Sequence, residues 1–217
     1  MTAAKLSANG ATSAPHPARS RNRTGTQTAI LQAAKALLAD EGFAAFGVNA
    51  VARRAGCDKQ LVYRYFGGLE GLVDAIGDDL AAWVGDHLLI PDLPPANTYG
   101  ERLEQVLFRY VDALRADPLM LRIIAWEVSD PSPHVRRLAD ARSRSLGQWI
   151  ERMRGPLLPK AAVDAPALNA ILIAALQHLA LSAAAGGQFV RVSLVSDADW
   201  TRIKQMVAQL IRALHGG

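Results

Sequence analysis

The chain has one cysteine, Cys57, in 217 residues. No intramolecular disulfide is possible, and such sparing use of cysteine fits a reducing compartment. Charged residues make up only a fifth of the chain while half are apolar, which excludes wholesale disorder. There is no glycine-rich phosphate loop. The five histidines, His16, His87, His134, His178 and His215, never fall at metal-ligand spacing. The expectation is therefore a non-enzyme with no catalytic residues, no metal and no cofactor. The N-terminal stretch lacks the apolar segment of a secretory signal. The most apolar run, about 165–187, is alanine-rich and interrupted by Asn169, Gln177 and His178, which suits a bilayer centre poorly. A soluble, cytoplasmic protein with no membrane partner is expected.

The net charge of +4 is modest, but its distribution is uneven. Residues 1–66 hold nine basic residues (Lys5, Arg19, Arg21, Arg23, Lys35, Arg53, Arg54, Lys59 and Arg64) against Asp40, Glu41 and Asp58. The remainder holds 15 basic and 17 acidic residues. A basic module on a near-neutral body is the footprint of a chain that meets polyphosphate at one end.

Residues 1–24 are rich in Ala, Ser, Pro and Asn and show no apolar period, so they read as a disordered basic arm. Beyond the arm, amphipathic helix follows amphipathic helix, with no alternating strand pattern and no internal repeat. The first helix spans about 26–40, with Ile30, Ala33, Ala34, Leu37 and Leu38 on one stripe and Gly42 as its stop. A long helix from Leu69 carries Leu72, Val73, Ile76, Leu80, Trp83 and Val84. Asp117-Pro118 opens a later helix, since proline suits a first turn. Ser196 or Asp197 caps the last one, on which Trp200, Ile203, Val207, Leu210 and Leu214 share a face. The fold class is all-α with about nine helices: residues 25–70 as a three-helix head and 71–217 as a helical body.

Within the head, Val48, Val51, Ala52 and Ala55 fall at i, i+3, i+4 and i+7 of a short helix that Gly56 ends. Asp58 is placed to cap a second short helix, on which Val62 and Phe66 point inward and Lys59, Gln60, Tyr63 and Arg64 outward. This is the layout of a helix-turn-helix whose second helix enters the major groove of DNA. Cys57 sits in the turn and reads as a small buried hydrophobe.

These residues resemble the tetracycline-repressor (TetR) family of bacterial transcription regulators. The resemblance runs through Gly42-Phe43, Val48, Val51-Ala52, Ala55-Gly56, Lys59, Val62-Tyr63, Tyr65-Phe66, Glu70 and Leu72, about a fifth of the chain. The body matches in helix count and order. Three places depart from family habit. Phe46-Gly47 replaces the usual hydroxyl pair, Lys59-Gln60-Leu61 opens the recognition helix, and Leu69 stands where a backbone-contacting lysine is frequent. The basic arm is then the candidate substitute for those phosphate contacts.

The resemblance implies a dimeric, ligand-responsive repressor on a palindromic operator, with double-stranded DNA, a second copy of the chain and a largely apolar small molecule as partners. The DNA-contacting candidates are Asn49, Lys59, Gln60, Leu61, Tyr63, Arg64 and Tyr65. Gln60 suits bidentate reading of adenine, Lys59 and Tyr63 suit phosphate, and Arg64 suits guanine or phosphate. The alternatives for Lys59 and Arg64 are salt bridges to Asp58 or Glu70. The effector candidates are Tyr110, Met120, Trp126, Gln177 and His178, apolar or polar groups on apolar helices. Arg142, on the stripe of Leu138 and Leu146, reads as an interior ion pair with Glu127 or as a pocket charge. Ala174, Ala175, Ala180, Ala183 and Ala184 permit close helix approach, so the last two helices are the expected dimer interface. Two other readings stay open: a regulator of the same fold that answers to a protein partner, and an all-α interaction module without specific DNA binding.

Overall fold

The computed structural model describes residues 17–88 and 93–215. Among them the order is α1 (Pro17–Ala45), α2 (Val48–Ala55), α3 (Lys59–Phe66), α4 (Leu69–Leu88), α5 (Tyr99–Ala116), α6 (Pro118–Ser129), α7 (Pro133–Arg154), α8 (Ala165–Gly186), β1 (Gln188–Phe189), β2 (Val192–Ser193) and α9 (Asp197–His215). The all-α class and the nine helices stand. Most of the expected arm, residues 1–16, lies outside the described residues, but 17–24 is helix and extends α1 backwards. Proline at the first position already has a helical φ and needs no N–H partner there, and the following arginines are good helix formers.

Three helices make the head. Ile30, Ala34, Leu37 and Leu38 of α1 are buried against Val51 and Ala52 of α2 and Val62 of α3. Gly42, at φ 72°, breaks the helical run of α1 where the sequence places its stop. Gly56 adopts the left-handed conformation (φ 64°, ψ 35°), which releases α2 into the turn. Asp58 then caps α3, its carboxylate accepting from the Gln60 N–H at 2.8 Å.

In the body, α4 lies along α7, α5 packs on α8 and α9, and α6 bridges α1 to α7 and α8. Asp117 caps α6 through the Met120 N–H at 3.0 Å, with Pro118 in the first turn. Ser196 accepts from the Asp199 N–H while the Asp199 carboxylate accepts from the Ser196 N–H, a reciprocal cap on α9. These hydrogen bonds, with one from the Ser193 hydroxyl, hold the Asp199 carboxyl down at about 2.

Two further sequence expectations change. A small antiparallel hairpin, β1–β2, joins α8 to α9. Its turn uses Val190 (φ 44°) and Arg191 (φ 64°), without the Asn or Gly that normally signals such a turn. The last helix also divides its apolar residues. Trp200, Val207, Ala208 and Ile211 are buried, whereas Leu210 and Leu214 stay about half exposed beside Met206. The 206–210–214 row lies a third of a turn away from the buried row, so it faces outward.

Candidate nucleic-acid interface and effector groove

The head presents α3 outward because Val62 is fully buried and anchors the opposite side of the helix. Lys59, Gln60, Tyr63 and Arg64 are exposed, and Asn49 is exposed on α2. No salt bridge holds Lys59 or Arg64 among the described residues, so the competing ion pairs to Asp58 and Glu70 are not formed. Leu61 and Tyr65 are half-buried and packed against the head core. The Tyr65 ring faces the guanidinium of Arg64 at 5.9 Å and that of Arg23 at 6.0 Å, distances within cation–π range. Arg23, read from the sequence as the end of an arm, therefore reaches the recognition helix from α1. Cys57 is half-buried, and burial followed by the neighbouring Asp58 carboxylate raises its thiol pKa, which keeps it protonated.

In the body a groove of about 700 Å³ opens between α7 and α8. Its walls include Leu146, Gly147 and Ile150 of α7 and Ala170, Ile173 and Ala174 of α8. Its inner end is polar. The Gln177 Oε1 accepts from the Tyr110 hydroxyl at 2.9 Å and from Arg142 Nη1 at 3.4 Å. Arg142 Nε also donates to Glu127 Oε2 at 2.7 Å, in the ion pair the sequence suggested. Burial works against the Arg142 charge, but the hydrogen bond and charge of Glu127 more than offset it and keep the guanidinium protonated. Burial pushes the Tyr110 hydroxyl up to about 12, against the opposing pull of Arg142.

The five effector candidates separate. Gln177 lines the groove, and Tyr110 lies behind it. Met120 lines a small apolar void with Trp83, Leu114 and Ile124, divided from the groove by Arg142 and Leu146, which line both. Trp126 does not line the groove: its indole lies against Gly42 of the head and donates to the Ala39 carbonyl at 3.4 Å. His178 is exposed and meets the Phe189 ring edge-on at 4.8 Å, because it is one position, about 100° of helix, past Gln177. Sequence reasoning missed Asn169 and Ile173. Asn169, Ile173 and Gln177 recur every four residues, so the signal was a row along one face of α8.

The head thus consists of one long and two short helices, the third capped and facing outward, ahead of a helical body with a groove between α7 and α8. Residues 30–76 match the family model for bacterial regulatory proteins of the tetR family. The head is a tetR-family head. This family comprises DNA-binding regulators rather than enzymes, as the sequence implied. The likeness extends to solved tetR-family folds along most of the chain. A TetR family transcription regulator from Marinobacter aquaeolei VT8 superposes with a TM-score of 0.62 at 21% identity, over 88% of this chain and 97% of that one. The transcriptional regulator FadR from Bacillus subtilis, in complex with stearoyl-CoA, gives 0.63 at 15% identity over 88% and 98%. The fatty acid degradation regulator FadR from Bacillus halodurans gives 0.61 at 16% over 86% and 94%. No curated protein matches the sequence significantly. At these identities the structural likeness establishes a shared tetR-type fold.

Proposed function

We propose that this protein is a dimeric, ligand-responsive transcriptional repressor of the cytoplasm that binds a palindromic operator. The observation that carries the reading is the exposed row Lys59, Gln60, Tyr63 and Arg64, with no salt bridge to Lys59 or Arg64 among the described residues, on a recognition helix of the tetR-family head. One short helix buries too little surface for tight specific binding, so two heads are needed. The exposed Ile171 of α8 and the Met206, Leu210 and Leu214 row of α9 support a two-fold contact in which each copy covers the other. That contact also accounts for α8, the one helix among the described residues long and apolar enough to cross a membrane.

The groove supports control by a small molecule over control by a protein partner, because it is concave, apolar and of a size that suits one ligand. The FadR neighbour was solved with stearoyl-CoA, and the long acyl chain of that ligand supports an effector with a large apolar part in the same kind of body. Ligand pressing on Arg142 moves α7, and α4 lies along α7 and continues directly from the recognition helix. The separation of the two recognition helices then no longer matches half-sites about one helical turn apart.

The test is operator binding by the purified protein, on DNA fragments that it selects itself. Lys59→Ala with Arg64→Ala should lower affinity about tenfold or more. The salt dependence should also become shallower, by about one released ion for each phosphate no longer neutralised. Unchanged affinity at matched salt would overturn the assignment of α3.

A further inference from the structure

The hydrogen-bond direction at the inner end of the groove specifies what a ligand must present there. An arginine side chain has only N–H donors, so the atom of Gln177 that faces Arg142 is its oxygen. The Tyr110 hydroxyl donates its proton to that same oxygen. The Gln177 carbonyl is therefore used twice, while its NH₂ has no partner among the described residues on a side chain that lines the groove. Arg142 lines the groove as well and offers further N–H groups. Among the described residues, the buried oxygen of the network left without a partner is Glu127 Oε1, and Glu127 lines neither the groove nor the small void. The inner end therefore offers donors.

Charge narrows the class. Arg142 is already neutralised by Glu127 at 2.7 Å, and Arg154 at the mouth is paired with Glu151 at 2.7 Å. A carboxylate entering the inner end would leave one negative charge without a counter-ion, and an ammonium would meet donors only; both cost free energy away from bulk water. Midway along the groove, Tyr99 and Asn169 satisfy each other, with Asn169 Nδ2 donating to the Tyr99 oxygen at 2.9 Å. The remaining lining is mostly alkyl.

We propose that the effector is an uncharged, mainly apolar molecule ending in a carbonyl-type acceptor, and that this oxygen docks on the Gln177 NH₂ and Arg142. The inference rests on the reading of the α7–α8 groove as the effector site and adds the polarity and charge of the ligand.

The experiment uses the full chain and five probes of matched length: 2-nonanone, nonanoate, nonylamine, 1-nonanol and nonane, titrated by calorimetry. The ketone should bind about tenfold more tightly than the amine, the carboxylate and the alkane, since an anchoring hydrogen bond is gained and no charge is buried. The alcohol can accept the same hydrogen bonds but leaves its own O–H without an acceptor there, so it should fall between. Gln177→Glu replaces the free donor by an acceptor while keeping an oxygen for Arg142 and Tyr110. It should weaken the ketone about tenfold and raise the amine above it. Gln177→Met, which removes the anchor without adding charge, should bring ketone and alkane together, and thermal melting of both variants reports whether they fold. Tightest binding of nonanoate or nonylamine to the wild type, or an unchanged order in Gln177→Glu, overturns the polarity assignment. Equal binding of all five overturns it too while leaving the groove as a binding site. If none binds, the groove reading itself falls.

Discussion

The indole of Trp126 on α6 lies so close to Gly42 on α1 that a Cβ at the glycine would fall 2.7 Å from the ring. The same seam carries Asp40, whose two carboxylate oxygens meet Arg54 of α2 and Arg122 of α6. Head and body are thus joined by a ring on a glycine and by one acid shared between two arginines. The helix that provides Trp126 and Arg122 also provides Met120, Ile124 and Glu127, the neighbours of Arg142. A displacement at the inner end of the groove has a direct route to the head along α6 as well as α4.

Gly42→Ala should therefore destabilise the protein by about 1–3 kcal/mol, because the residue needs a positive φ and the methyl has no room. Urea unfolding measures it. Gly42→Ala in a Trp126→Ala background should cost less than in the wild type, since one of the two penalties is gone. Strict additivity in that double-mutant cycle would show that the contact does not constrain the seam.

The Arg142–Glu127 pair is buried, with the Glu127 side chain only 2% exposed. Arg142→Met should cost about 3–5 kcal/mol, because it strands a carboxylate away from water. Arg142→Met with Glu127→Leu should recover most of that loss in the same urea titration. A double variant as unstable as the single one would show that the pair contributes far more than mutual neutralisation.

Gln60 differs from Lys59 in what its removal should do. Gln60→Ala is expected to cost about 1–3 kcal/mol on the cognate operator and nothing on an operator altered at the base it reads. The slope of log affinity against log salt should stay as in the wild type, since Gln60 neutralises no phosphate. A uniform weakening on both DNAs with a shallower slope would reassign Gln60 to the backbone.

His215, at the end of α9, is buried against Tyr99 with both ring nitrogens lacking a hydrogen-bond partner. Burial, and secondarily the charge of Lys160, lowers its pKa from the ordinary 6.5. The unfolded chain therefore binds the proton first. The contribution of His215 is fully present above pH 6.5 and is lost as pH falls from there toward the lower folded-state value. His215→Phe should flatten that part of the melting temperature–pH curve, and an identical slope in both proteins would refute it.

The outward row on α9 makes the dimer testable apart from DNA. Leu210→Lys with Ile171→Lys should shift the protein to monomer in sedimentation while leaving the monomer fold intact, since both side chains are exposed in the single chain. A dimer that survives both changes would place the interface elsewhere.

Much of this architecture was legible in the chain because it rests on neighbours in sequence. Gly42, Gly56, Asp58 and Asp117-Pro118 act within a turn of themselves, and each stands where the local rule puts it. The β1–β2 hairpin was not legible, because Val190 and Arg191 adopt positive φ against their own preference. The pairing of Gln188 with Ser193 and Phe189 with Val192, and the Leu194 N–H donating to the Gly187 carbonyl, close the turn around them.

The sequence by itself determined most of the extent of the helices, the caps of α3, α6 and α9, the helix-turn-helix and the outward face of α3, since periodicity and capping depend on residues a few positions apart; it missed the start of α1 at Pro17. It also marked Arg142 with Glu127 as a possible interior pair. Tertiary structure alone decided that Trp126 serves the seam with Gly42 and not the groove, that His178 faces away while Gln177 faces in, and that Arg23 reaches Tyr65. Those outcomes turn on which helices become neighbours and at what rotation. A step of 100° along a helix separates a groove residue from a surface one, and only packing against a distant part of the chain sets that angle.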